Sequence, residues 1–182
     1  LIFGSTTFAL PFVQHNPGAR NTYATSHIKQ GLTTYTTNFN NRMDPSAHVL
    51  HYPERPLLVT RLNKVINNHK IGTGHNIIVA ILAYNGYNQE DAIIVNKSSL
   101  DRGMFNTSFF RTYVAKEMEN VENGSKELFY SPLHRKDDDE YPDNLAKRDN
   151  NYEHLDENGF IKEGTNLKGK EIIIGKYIKI NN

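Results

Sequence analysis

The chain has 182 residues, 37% of them hydrophobic and 10% aromatic, with a formal charge of +1. That is enough to bury one sizeable core or two small ones, and too aromatic for wholesale disorder. The lack of cysteine excludes a disulfide framework and a thiolate zinc site, and no apolar run approaches the roughly 18 residues of a membrane span.

The opening "LIFGSTTFALPFV" is apolar but lacks a basic leader, is broken by Pro11 and does not start with Met, so it reads as part of a longer polypeptide. A Pro17-Gly18 turn signal follows. "NTYATSHIKQGL" then predicts a short helix with Asn21 or Thr22 as N-cap and Gly31 near its end. "TTYTTNF" has extended or loop character, and Pro45, Pro53 and Pro56 impose turns and extended segments on residues 44–60. "RPLLVTRLNKVI" fits strand or helix equally.

Residues 76–83, "NIIVAILA", are continuously apolar and rich in β-branched side chains, the pattern of a strand buried on both faces. Asn85-Gly86 signals a tight turn, and "DAIIVN" predicts a second buried strand. "NKSSLDRG" suits one helical turn capped by Ser98 or Ser99 and ended by Gly103, and "SFFRTYVA" is a further strand. Beyond Ala115 the chain becomes charged and poor in large aliphatics, predicting exposed loops through residue 150. Short β-like pieces resume at "EIIIGKYIKI", after turn pairs at Asn158-Gly159 and Lys168-Gly169. The fold class expected is mainly β with short helices (α+β).

Chemistry concentrates in "YNGYNQEDAIIVN". Adjacent carboxylates on a regular strand point to opposite faces, so Glu90 and Asp91 form no shared-proton dyad there. At a turn, both can approach one polar site. A solvated loop accounts for the pair; so does a Mg²⁺ that keeps its waters and phosphate ligands. Arg20 follows a turn and precedes a helix, where a guanidinium suits phosphate oxygens. Lys29, Gln30 and Arg42 extend a basic, amide-rich track able to follow a nucleic-acid backbone. Residues 1–115 carry ten basic against five acidic side chains, and the remainder eleven against fifteen, so the first part suits a polyanion. His48 and His51 could share a helical face as metal ligands, but Pro45 and Pro53 shorten any helix and no third ligand is nearby.

"HNPGARNTYATSHIKQGL", "TNFNNRMDPSAHVLHYPERPL", "GHNIIVAILAYNGYNQEDAIIVNKSSLDRGMF", "SFFRTY" and "LDENGFIKEGTNLKGKEIIIGK" follow one another as in a known family. In these blocks the chain resembles the second-largest subunit of multisubunit DNA-dependent RNA polymerases, of the eukaryotic, archaeal and large-DNA-virus type. The resemblance implies a hybrid-binding region, part of a double-psi β-barrel, with an inserted β-rich, loop-rich segment. On that basis residues 1–115 belong to the barrel core, 116–170 form an acidic insertion with short strands, and 171–182 return as a strand.

The same resemblance implies that Glu90 and Asp91 seat a second Mg²⁺ arriving with the nucleoside triphosphate, through its waters. It implies that Arg20 points toward the triphosphate and that Lys29 and Gln30 lie near the RNA–DNA hybrid. The implied partners are the largest polymerase subunit, which holds the first Mg²⁺, the other subunits, template DNA, the hybrid and nucleoside triphosphates, with no membrane. The activity expected is DNA-directed RNA polymerisation by the assembled complex, and none by this piece alone, which ends before the family's downstream lysine-rich motif and zinc region. The family's HN-Gln-Ser-Pro-Arg reads His15-Asn16-Pro17-Gly18-Ala19-Arg20 here, with the spacing to Arg20 kept. That loop and the 22 asparagines tilt the expected source to a large DNA virus, hence cytoplasm, virion or viral factory, rather than a cell nucleus. A different class, a non-catalytic β-rich nucleic-acid-binding or assembly module, accounts for the same β-rich pattern.

Overall fold

The computed structural model describes residues 4–122, 124–134 and 149–179. The architecture is mixed α+β, with short helices and two small antiparallel sheets, consistent with a mainly β chain. The chain divides into two compact units, Leu1–Tyr113 and Val114–Asn182.

In the first unit, helix α1 spans Gly18–Gln30. It starts earlier than expected because Pro17, whose fixed φ of −58° suits a helix entry, takes the N-cap position. Asn21, the expected cap, instead lies inside the helix, 5% exposed, and donates its amide to the Val13 carbonyl at 2.9 Å. Gly31 closes the helix as expected.

Strand β1, Ser46–Leu50, pairs antiparallel with β2, Thr107–Arg111, in the register Ser46↔Arg111 to Leu50↔Thr107. Val49 and Leu50 are the buried apolar residues of this ribbon. Because Ser46–Leu50 is a strand, His48 and His51 share no helical face, and the conjectured metal pair dissolves. The His48 ring packs 4.6 Å from the Phe109 ring, and His51 Nε2 lies 2.6 Å from Ser108 Oγ.

Helix α2, Arg61–Val65, settles the ambiguous "RPLLVTRLNKVI". Thr60 caps it, its hydroxyl accepting from the Asn63 N–H at 3.1 Å. Helix α3, Lys97–Asp101, is capped by Asn96 rather than a serine, through Asn96 Oδ1 and the Ser99 N–H at 3.0 Å.

The two runs expected as buried strands differ most. Residues 76–83 and 92–96 carry no ladder pairing, and Ile78 and Ile81 are 100% and 98% exposed. Their composition is that of buried strands, but the described residues offer no neighbouring strand to satisfy their N–H and C=O groups. Their near end is nonetheless fixed. The Glu54 carboxylate accepts from the Asn76 backbone N–H at 3.1 Å and its side-chain amide at 3.0 Å, and His75 Nδ1 lies 3.6 Å away.

In the second unit, β4, Ser125–Phe129, is the centre of a three-stranded sheet between β3, Glu119–Asn120, and β5, Lys176–Lys179. Leu155 is fully buried here. Gly175 permits the close approach of chains: a Cβ at that position would lie 2.0 Å from the Tyr130 carbonyl oxygen. The Asn158-Gly159 turn forms as expected, with Asp156 Oδ1 accepting from the N–H groups of Asn158 and Phe160 at 2.9 and 2.8 Å. The Glu171 carboxylate caps the Lys168-Gly169 turn, accepting from three successive N–H groups at 2.8, 2.7 and 3.1 Å. The charged run at 135–148 lies outside the described residues.

Candidate functional site

The loop between the two apolar runs is two tight turns in succession. In the first, Tyr87 N–H donates to the Tyr84 carbonyl at 3.0 Å, and Asn85 and Gly86 both take positive φ, 48° and 76°. That is the pairing of a type I′ turn, for which Asn-Gly is the preferred sequence. In the second, Ala92 N–H donates to the Gln89 carbonyl at 3.1 Å, and the two central residues are Glu90 and Asp91, with φ of 54° and 64°.

Left-handed backbone is costly for residues with a Cβ, and Glu is poorly suited to it. Such outliers persist where neighbouring structure over-determines them, and they cluster at functional positions. The turn takes both carboxylates off the strand alternation that would have sent them to opposite faces. Both side chains are exposed, and among the described residues neither carboxylate accepts a hydrogen bond or an ion pair. No group of three or more His, Asp or Glu among the described residues is arranged to hold a metal. The donor set here is therefore two hard, anionic oxygens groups, which fits Mg²⁺ carrying its own waters and phosphate oxygens.

Two side chains brace the loop. Asn88 Oδ1 accepts from the Tyr84 N–H at 3.0 Å, while Asn88 Nδ2 donates to the Leu82 carbonyl at 2.6 Å. The Gln89 amide lies over Gly86, where a Cβ would be 3.2 Å from Gln89 Nε2.

Helix α1 carries Arg20, Lys29 and Gln30, all exposed. The Arg20 guanidinium carbon lies 5.9 Å from the centre of the Tyr23 ring, which in turn meets the His27 ring edge-on at 4.4 Å. Arg20, Tyr23 and His27 thus form one solvent-facing stripe. Lys29 follows Arg20 by two and a half helical turns and leaves the opposite face.

Arg42 is already engaged. Its Nε and Nη2 reach the two Asp44 oxygens at 3.0 and 3.4 Å, and the Tyr35 hydroxyl donates to the same carboxylate at 2.7 Å. These hydrogen bonds, Arg42 first and Tyr35 second, hold the Asp44 carboxyl below its ordinary pKa. The carboxylate raises the pKa of the Tyr35 phenol and of Arg42 in turn.

Glu90 and Asp91 thus share one turn, whereas Arg20, Lys29 and Gln30 share a helix but not a face, and Arg42 belongs to a separate cluster. Sequence reasoning passed over Asn88, Tyr23 and His27. The crowding of amides in "YNGYNQ" was the available sign for Asn88; periodicity along α1 would have aligned Tyr23 and His27 with Arg20.

The family model described as RNA polymerase Rpb2, domain 6, matches residues 6–182. A DNA-directed RNA polymerase II subunit RPB2 from Schizosaccharomyces pombe is 39% identical over 176 residues, covering 97% of this chain and 14% of that protein. DNA-directed RNA polymerase II subunit 2 of Arabidopsis thaliana is 39% identical over 181 residues, covering 100% of this chain and 15% of the relative. The archaeal subunit Rpo2 of Sulfolobus acidocaldarius is 38% identical over 175 residues, 96% of this chain and 15% of its own. The chain therefore spans about one seventh of the length of these relatives. They are eukaryotic and archaeal, and the expected viral source finds no support among them.

Proposed function

The chain belongs to the RNA polymerase Rpb2 domain 6 family, that of the second-largest polymerase subunit, and from that membership we propose that it forms part of the nucleotide-addition centre of a DNA-directed RNA polymerase. The observation that carries this reading is the exposed carboxylate pair of Glu90 and Asp91, without a partner among the described residues and held in left-handed backbone at the centre of one turn.

In this role Glu90 and Asp91 accept hydrogen bonds from, or bind directly, the hydrated Mg²⁺ that accompanies a nucleoside triphosphate. When bound, that ion supplies neutralisation of the charge developing on the leaving pyrophosphate. Two fixed carboxylates keep the triphosphate in one orientation, and positioning with charge stabilisation is the main source of rate in such displacements. Arg20, exposed and next to an aromatic face, donates to phosphate oxygens. Lys29 and Gln30 follow the backbone of the RNA–DNA hybrid, and Arg42 joins them when nucleic acid competes with Asp44 for its guanidinium.

Residues 76–83 and 92–96 become strands when other segments of the polymerase pair with them, as in the double-psi barrel that the family resemblance implies. Their apolar composition and unpaired backbone support that completion. The partners are then the largest subunit, which supplies the other metal's ligands, and the remaining subunits, template DNA and incoming nucleotides. In a eukaryotic source the location is the nucleus.

The test is single-nucleotide addition by the assembled polymerase with Glu90→Gln and Asp91→Asn combined. These replacements keep the shape of the turn and remove its charge. We expect the Mg²⁺ concentration for half-maximal addition to rise about 10-fold or more. An unchanged midpoint would overturn the reading.

A further inference from the structure

Two consecutive residues held in unfavourable backbone need something to hold them, and among the described residues the carboxylates themselves have no partner. The loop is exposed, so burial does not do it. What remains is hydrogen bonding within the loop, and one side chain dominates that. Asn88 lies between the two turns. It uses its acceptor on the Tyr84 N–H, at the start of the first turn, and its donor on the Leu82 carbonyl, two residues further back. Both are backbone groups that a neighbouring strand would otherwise satisfy. A side-chain amide thus replaces a missing strand partner over this short reach, and it does so from the residue two positions before Glu90.

Only an amide offers donor and acceptor together on so short a stem. Asp lacks the donor, and Gln is one methylene longer. The first turn needs no such help, because Asn85-Gly86 adopts positive φ readily. The second has no glycine or asparagine at its centre, so its geometry depends on how the chain enters it. That entry, through Asn88 and Gln89, is the part that is tied down.

We propose that Asn88 is a positioning residue that fixes the entry to the Glu90–Asp91 turn and so sets the two carboxylates for metal and triphosphate. The inference rests on the reading of the acidic pair given above. It goes further in naming the group on which the pair's orientation depends.

The polymerase containing the chain is prepared with Asn88→Ala, with Asn88→Asp and with the neutral Glu90→Gln/Asp91→Asn pair. Two quantities are read: hydrogen exchange at the Tyr84 amide without metal, and the Mg²⁺ midpoint and maximal rate of single-nucleotide addition. Asn88→Ala is expected to lose Tyr84 protection while β1 and β2 amides keep theirs. Its Mg²⁺ midpoint rises about 10-fold, with a smaller change in rate at saturating Mg²⁺. Asn88→Asp, which retains the acceptor, is expected to keep Tyr84 protected, and Asn88→Leu, similar in size but without donor or acceptor, takes the place of the alanine variant if that one does not assemble. An unchanged midpoint in Asn88→Ala, with a raised one in the neutral pair, would overturn the role of Asn88 and leave the acidic site standing. Tyr84 exchange unaltered by Asn88→Ala would also overturn it. An unchanged midpoint in the neutral pair would remove the site reading and this inference together.

Discussion

Arg42 and Asp44, two residues apart, face each other through a forked contact of 3.0 and 3.4 Å, so this guanidinium is held by a carboxylate of its own chain. The pair is partly exposed, at 46% and 30%, which limits its contribution to stability. Asp44→Asn therefore releases a guanidinium more than it weakens the fold. If Arg42 meets phosphate, the variant binds nucleic acid more tightly and with a steeper salt dependence, by about 0.7 to 0.9 in log–log slope. A slope equal to that of the parent polymerase would place Arg42 away from nucleic acid.

Arg20→Ala is expected to raise the nucleotide concentration for half-maximal addition, with a loss of about 2 kcal/mol if one charge-assisted hydrogen bond to phosphate goes. Arg20→Lys keeps the charge but not the planar fork, so its loss is smaller. Steady-state addition at varied nucleotide concentration decides the matter. An unaltered dependence in both variants would assign Arg20 to a packing role against Tyr23.

The left-handed pair offers a stability test independent of activity. At an ordinary exposed position, a change to Gly costs about 0.5 to 1 kcal/mol in backbone entropy. At Glu90 the released strain, of order 1 kcal/mol or more, offsets this, so Glu90→Gly is expected to leave the thermal midpoint unchanged or raise it. Leu57→Gly, at an exposed residue without positive φ, provides the comparison and is expected to lower it. Equal losses at both positions would contradict the turn geometry.

Glu54 gives a pH dependence of known sign. The Asn76 backbone N–H, then its side-chain amide, hold the carboxyl below its ordinary value, with His75 adding to them. The folded-state pKa is thus lower than the unfolded one, and the unfolded chain takes up this proton first as pH falls. The tie is intact above the ordinary carboxylate pKa of about 4.3 and is lost as pH drops through the lower folded value. The Asn76 amide resonance, followed by NMR, is expected to shift on that acid limb and to become insensitive there in Glu54→Gln. A shift that survives the substitution would point to another titrating group.

How far these features could be read in the sequence depended on their range. Asn85-Gly86 announced its turn because one local backbone preference decides it, and α1 emerged, with its start displaced, from a run of short-range signals. Glu90 gave no sign of its left-handed backbone, since Glu does not favour it, and Asp91, which tolerates it better, gave only a weak one. The Glu54 to Asn76 tie and the Arg42 to Asp44 fork depend on side-chain geometry that composition does not encode. At 76–83 the expectation of a buried strand and the exposed conformation conflict because apolar composition reports a preference for burial and not which residues would satisfy it.

That exposed run also bears on the life of the chain before assembly. "IIVAIL", residues 77–82, has no charge and no proline, and is rich in β-branched side chains, the composition that stacks into cross-β aggregates when left open. On the reading proposed above, a copy without its partners would display this stretch to other such copies and to any chaperone that recognises apolar extended chain. If partner chains cover this segment as proposed above, the same residues are what a protease or chaperone meets in their absence, and the lifetime of the chain then depends on the supply of those partners.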